Sequence, residues 1–133
     1  MGDPLREDAR TIVRRAIEAV QPGPAVRRAL SGWGKGAGRL VLVAVGKAAW
    51  SMARAAWDCL GGQIDAGIVI TKYGHAQGPI GSLEIREAGH PVPDRAGFSA
   101  TGEALRLTQG LSEEDTVLFL LSGGGSALFE DPL

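Results

Sequence analysis

The chain has 133 residues, of which 44% are hydrophobic and 22% charged, and its formal net charge is −1. This length is enough for one domain, and the near-neutral charge gives no electrostatic reason to expect nucleic acid or an anionic membrane as a partner. No segment approaches the ~20 apolar residues of a membrane span, and the polar N-terminus is not typical of a secretory signal. A lone cysteine, Cys59, excludes an internal disulfide and favours a reducing, cytoplasmic compartment.

The hydrophobic pattern changes along the chain from helical spacing to continuous apolar runs. Spacing of three and four residues predicts amphipathic helices, whereas short continuous runs such as "RLVLVAV" are typical of strands buried on both faces. Asp3 can cap the first helix, and Asp94 or Ser99 can cap the last long one. In chain order the predicted elements are helices over 5–20 and 24–30, a strand over 39–45, a helix over 47–60, strands over 65–72 and 83–88, a helix ending near Gln109, and a buried strand over 115–121.

This alternation of strands and helices predicts an α/β fold. We expect a mostly parallel, Rossmann-like sheet with helices on both faces, which makes three layers. The last βα unit begins at Asp115 and should continue into a covering helix, but only Ser126–Phe129 remain before Asp131 and Pro132. We therefore expect the fold to be incomplete at the C-terminus.

A glycine loop, "LLSGGGSALF", follows the last predicted strand. Without Cβ atoms, Gly123, Gly124 and Gly125 can turn sharply and let an anion approach the backbone N–H groups. Ser122 and Ser126 add hydroxyl donors on either side. The pattern predicts a phosphate or carboxylate site, and the alternative is a tight strand-to-helix turn without a ligand.

Basic side chains follow the other two main strands at their carboxyl ends. Lys47 comes after the first strand, while Lys72 and His75 lie at the end of the second; His90 lies in the turn "GHPVPD". Ligands of open α/β sheets bind beyond the carboxyl ends of the strands. An ammonium group there can neutralise the charge of a transferring phosphoryl group, so Lys47 is the strongest catalytic candidate. The alternative for each residue is a solvated lysine or a histidine that hydrogen-bonds within its loop.

Several familiar nucleotide-binding and hydrolase motifs are missing. Gly46 and Lys47 are followed by Ala48, and Val41 stands where a Walker loop has its first glycine, so this turn is not a P-loop. The same turn lacks the G-x-G-x-x-G of a dinucleotide site, and there is no G-x-S-x-G nucleophile elbow.

Four stretches in order, "VAVGKAAWSMA", "GIVITKYGH", "EAGHPVPD" and "LFLLSGGGSALFEDP", resemble the N-terminal part of the glycerate 2-kinase family. The resemblance implies that residues 1–133 are the N-terminal part of the kinase α/β domain and that the second, C-terminal domain is absent. It also implies ATP-dependent phosphorylation of glycerate to 2-phosphoglycerate, with Mg²⁺ or another divalent cation. By motif, Lys47 is the catalytic lysine, the Ser122–Ser126 loop lines the phosphate or substrate site, and Lys72 and His90 lie on the same rim. Because the remaining catalytic parts are missing, we expect these 133 residues alone to be inactive.

Two alternative functions remain open from the sequence. Relatives of the kinase are also labelled hydroxypyruvate reductase, which predicts an NAD(P)H-dependent oxidoreductase, although the missing dinucleotide fingerprint disfavours it. A non-catalytic domain that binds an anion or forms a homo-oligomer is the second alternative, since an incomplete sheet leaves strand edges and apolar helix faces bare.

Overall fold

A computed structural model describes residues 2–133, which form an all-parallel, four-stranded sheet in the order β3-β2-β1-β4 with helices on both faces. The predicted α/β fold class is therefore confirmed. The helices are α1 (Pro4–Ala19), α2 (Pro22–Leu30), α3 (Ala49–Leu60), α4 (Arg95–Leu107) and the single turn α5 (Gly125–Leu128), and the strands are β1 (Leu40–Val45), β2 (Ala66–Lys72), β3 (Glu84–Ala88) and β4 (Thr116–Leu121).

Two hydrophobic clusters lie on opposite faces of the sheet because successive strand side chains point in opposite directions. Leu40, Leu42 and Ala44 of β1 join α2 and α3 on one face. Val41 and Val43, together with Val45, join α4 and Leu128 on the other. All six residues of β1 are buried, as expected for the inner strand of a parallel sheet.

The capping predictions are confirmed at both helices for which they were made. Asp3 precedes α1 and accepts a hydrogen bond from the Leu5 N–H group, and Asp94 precedes α4 and accepts from the Gly97 N–H group at 3.0 Å. Each carboxylate satisfies an N–H group that has no partner within the helix. Asp94 rather than Ser99 therefore sets the start of α4.

Two sequence predictions are wrong in detail. Lys47 does not belong to α3, which begins only at Ala49, so Lys47 lies in the turn between β1 and the helix. The last strand is not buried on both faces: Val117, Phe119 and Leu121 are 41%, 45% and 63% exposed. Because β4 is an edge strand and α4 lies over β2 and β3, the side chains that β4 points toward the α4 face remain uncovered.

The first helix also presents its apolar side to solvent. No residue of α1 is buried, and Ile12, Val13 and Ile17 are each more than half exposed. The helix is therefore stabilised by its cap and its own hydrogen bonds rather than by packing on the sheet.

Candidate functional site

The strand order creates a crevice between β1 and β4. From β1 the chain proceeds outward through β2 to β3, then crosses to the other side of β1 to form β4. The helix after β1, α3, covers one face of the sheet, whereas α4, which precedes β4, covers the opposite face. In open α/β sheets ligands bind at such a reversal of strand order, beyond the carboxyl ends of the strands. Lys47 follows β1 and the glycine loop follows β4, so both border this crevice.

The backbone of the Lys47 turn is joined to the glycine loop by direct hydrogen bonds. The Lys47 N–H group donates to the Gly123 carbonyl at 2.9 Å, and the Ala48 N–H group donates to the Ser122 hydroxyl oxygen at 3.0 Å. A Cβ atom on Gly46 would lie 2.1 Å from that same hydroxyl oxygen, so only glycine allows the two segments to approach this closely. The relative position of Lys47 and the loop is therefore set by main-chain contacts.

The glycine loop offers unused backbone donors to the crevice. Within residues 2–133, no carbonyl or side-chain oxygen accepts from the N–H groups of Gly123, Gly124 or Gly125. Gly124 has a φ of +85°, a left-handed conformation in which consecutive N–H groups converge, and such converging groups form anion-binding concavities.

The structure brings Lys47 and His90 to this loop. A Cβ atom on Gly124 would lie 2.7 Å from His90 Nε2 and 3.2 Å from Lys47 Cγ, and one on Gly123 would lie 4.0 Å from Lys47 Cε. The Lys47 side chain is exposed, which leaves its ammonium group free to meet a ligand.

His90 contributes an unusual feature, because its Nδ1 atom is buried and has no hydrogen-bond partner within residues 2–133. The other ring nitrogen, Nε2, faces Gly124, so His90 presents a polar ring atom to the glycine loop.

The predicted serine and lysine positions are not equivalent in the structure. The Ser122 oxygen is engaged by the Ala48 N–H group and lies 3.5 Å from the Val45 carbonyl, whereas Ser126 is exposed in α5. Lys72 ends β2, two strands away from β4, a separation of about 10 Å at ordinary strand spacing. No hydrogen bond or ion pair joins its side chain to the loop in the part of the chain that the structure describes.

A hydrogen bond between Tyr73 and Asp94 joins the loop after β2 to the turn after β3. The Tyr73 hydroxyl donates to Asp94 at 2.7 Å, and this bond, followed by the Gly89 and Gly97 N–H groups, holds the pKa of Asp94 below its ordinary value. The same bond to Asp94 raises the pKa of Tyr73. Asp94 thereby ties the turn that carries His90 to the loop after β2.

His75 and Thr71 complete the surroundings of Lys47. His75 Nδ1 lies 3.1 Å from the Lys47 carbonyl, and because a carbonyl only accepts, Nδ1 is the donor. The Thr71 hydroxyl donates to the Gly46 carbonyl at 2.9 Å. The sequence indicated His75 only weakly, and it gave no signal for Thr71, which reads as one more β-branched residue of a strand.

Comparison with known proteins identifies the group to which the chain belongs. Residues 8–133 match the DUF4147 family, described as a domain of unknown function. The chain belongs to the DUF4147 family. Among curated proteins, D-glycerate 2-kinase of Thermotoga maritima is 55% identical over the whole of this chain, which covers 32% of that protein. A protein of Agrobacterium vitis named as a hydroxypyruvate reductase is 43% identical over 93% of the chain and 28% of its own length.

A solved structure is also similar to this chain. The crystal structure of glycerate kinase from Thermotoga maritima superposes with a TM-score of 0.94 and 54% identity, covering 99% of this chain and 31% of that one. The chain thus spans about a third of the length of the relatives that it matches. Within residues 2–133, the DUF4147 chain has no helix long and apolar enough to cross a bilayer.

Proposed function

We propose that this chain forms the phosphate-binding part of a cytoplasmic glycerate 2-kinase, which transfers the γ-phosphoryl group of ATP to glycerate. The observation that carries the proposal is the position of Lys47 beside the unused N–H groups of Gly123–Gly125, in a chain 55% identical to a D-glycerate 2-kinase. Such a cluster of cationic and backbone donors fits the charge on a phosphoryl group, or on the carboxylate of glycerate.

In the proposed reaction the 2-hydroxyl oxygen of glycerate bonds to the γ-phosphorus and its proton is released to water, while the bond from that phosphorus to the bridging oxygen breaks and ADP leaves. Negative charge spreads over the equatorial oxygens of the phosphoryl group in the transition state. The glycine N–H groups and the Lys47 ammonium would meet this charge, and hydrogen bonds between the two segments hold their backbones side by side. His90 would add a ring nitrogen at Gly124, and Lys72 and the Ser122 and Ser126 hydroxyls complete the proposed rim.

Phosphoryl transfer from ATP ordinarily uses Mg²⁺ or another divalent cation to bridge phosphate oxygens. Within residues 2–133, no three His, Cys, Asp or Glu side chains are grouped as a metal site. Mg²⁺ is usually held by one or two carboxylates together with substrate phosphates and water, so it needs no such group, and we assign the residues of this chain no step through the cation.

The test is a chimera in which residues 1–133 replace the matching segment of the Thermotoga maritima kinase. We expect Lys47→Ala in this chimera to lower kcat by about a hundredfold or more, as loss of a transition-state donor does. Lys35→Ala is the matched control, because Lys35 pairs with Asp65 at 2.9 Å beside the amino end of β1. The assay measures ADP and 2-phosphoglycerate, and near-normal turnover of Lys47→Ala would remove Lys47 from the mechanism.

The name of the Agrobacterium vitis relative favours a second candidate, reduction of hydroxypyruvate with NAD(P)H. The same chimera, given both cofactors, distinguishes the two activities: nicotinamide absorbance follows the reductase and phosphorylated product follows the kinase. We expect product from ATP and glycerate and no oxidation of the nicotinamide, since the turn at Gly46 lacks the dinucleotide fingerprint.

A further inference from the structure

The turn that carries Lys47 is held from the side opposite the glycine loop by β2. The Thr71 hydroxyl donates to the Gly46 carbonyl at 2.9 Å and lies 3.5 Å from the Lys47 carbonyl. The Gly46 N–H group in turn donates to the Ile70 carbonyl at 3.1 Å. Two bonds from β2 and two from the glycine loop thus hold residues 46–48 from both neighbouring strands.

Thr71 is completely buried, so water cannot replace its hydrogen bond. The Gly46 carbonyl also accepts from the Ala49 N–H group at 3.1 Å, so loss of the hydroxyl removes one of its two donors and the only one that ties it to β2. Without that bond the turn is free to shift away from β2. Lys47 extends from that turn toward Gly123 and Gly124, so a shift of the turn moves its side chain relative to the loop. Misplacement by about 1 Å at a reacting centre can cost about a hundredfold in rate.

We propose that Thr71 is a positioning residue, which holds the Lys47 turn against the glycine loop through its bond to the Gly46 carbonyl. The expected effect of Thr71 on the rate rests on the proposed phosphoryl transfer. Its expected effect on the backbone of the Lys47 turn does not. Thr71 is completely buried, so in this role it acts only through the turn that carries Lys47.

Two substitutions at this position separate the hydroxyl from the shape of the side chain. Thr71→Val keeps the volume and the β-branch but removes the donor, whereas Thr71→Ser keeps the donor. Thr101→Val is the matched control, because Thr101 is 2% exposed and its hydroxyl also donates to a backbone carbonyl, that of Gly97, at 2.9 Å. That bond lies within α4 and has no link to the Lys47 turn.

In the chimera we expect Thr71→Val to lower kcat at least tenfold with less than a threefold change in the KM for glycerate. Thr71→Ser should keep kcat within about threefold of the unmodified chimera, and Thr101→Val should leave both constants unchanged. A Thr71→Val enzyme with normal kcat, or one affected no more than Thr101→Val, would overturn the proposal even if Lys47→Ala is inactive.

Hydrogen exchange gives a readout that does not depend on activity. In the 133-residue chain itself, we expect Thr71→Val to accelerate exchange of the amides of residues 46–48 more than tenfold, and Thr101→Val to leave them unchanged. If this acceleration occurs but the chimera shows no kinase activity, the proposed function is wrong and the positioning role stands. If exchange at residues 46–48 is the same in both variants, the positioning role is wrong whatever the enzyme does.

Discussion

Gly124 offers a quantitative test of how closely the glycine loop packs on His90. Its φ of +85° lies in the left-handed region, which costs a residue with a side chain about 1–2 kcal/mol. In Gly124→Ala the new Cβ atom would also lie 2.7 Å from the His90 ring, whereas an ordinary contact begins at 3.4 Å. The ring must therefore move by about 0.7 Å, and overpacking of this kind costs about 1–3 kcal/mol more.

Gly110 supplies the matched control for the backbone contribution. Its φ is +70°, and a Cβ atom there would meet nothing within 4 Å. We expect Gly110→Ala to lower the free energy of unfolding by about 1–2 kcal/mol, and Gly124→Ala to lower it by about 2–5 kcal/mol. The difference between the two variants measures the contact with His90.

Urea unfolding followed by tryptophan fluorescence measures these free energies. In a double-mutant cycle, His90→Ala removes the ring, so adding Gly124→Ala to that background should cost only the backbone contribution. If Gly124→Ala is no more destabilising than Gly110→Ala, or if His90→Ala does not reduce its cost, the loop does not pack on His90 as described.

Two further predictions concern acid stability and association. Hydrogen bonds from the Ser112 and Arg39 N–H groups hold the pKa of Asp115 below its ordinary value. This carboxylate therefore adds stability above about pH 4, which is lost as the pH falls through the lowered folded-state pKa. Urea midpoints measured from pH 7 downward should fall less steeply below about pH 4 in Asp115→Asn than in the unmodified chain, and parallel curves would contradict this. The exposed edge formed by β4 should make the 133-residue chain self-associate, and Val117→Lys should shift its mass in light scattering toward the monomer. A stable monomer of the unmodified chain would show that the uncovered strand does not drive association.

The sequence predicts the main strands and the convergence of Lys47 with the glycine loop for the same physical reason. Continuous apolar runs mark strands buried between helices, and the carboxyl ends of parallel strands meet at one edge of the sheet. Neither signal says which strands are neighbours. The position of β4 beside β1, which places Gly123 within hydrogen-bonding distance of Lys47, follows from the tertiary crossover through α4.

The uncovered face of β4 could not be read from its sequence. "TVLFLL" is a continuous apolar run like "LVLVAV". Both strands pack on one face against α3, but the sequence pattern does not show whether the opposite face of each strand is covered. The edge position of β4 and the position of α4 over β2 and β3 distinguish buried Val43 from its neighbour in register, half-exposed Phe119.

The alternation of side chains along β2 explains why Thr71 rather than Lys72 contacts the Lys47 turn. Thr71 lies two residues after Val69, so both side chains point to the face that α3 covers. The Thr71 hydroxyl donates to the Gly46 carbonyl, in the turn that leads into α3. Lys72 lies two residues after Ile70, so its side chain leaves the strand on the same face as Ile70, the face that α4 covers. Reaching the glycine loop from there requires the Lys72 side chain to extend around the strand end, whereas Lys47 already lies beside the loop. The alternation along β2 therefore places the buried Thr71 hydroxyl against the Lys47 turn and directs Lys72 to the opposite face of the sheet. Lys47 is the lysine that lies beside the glycine loop.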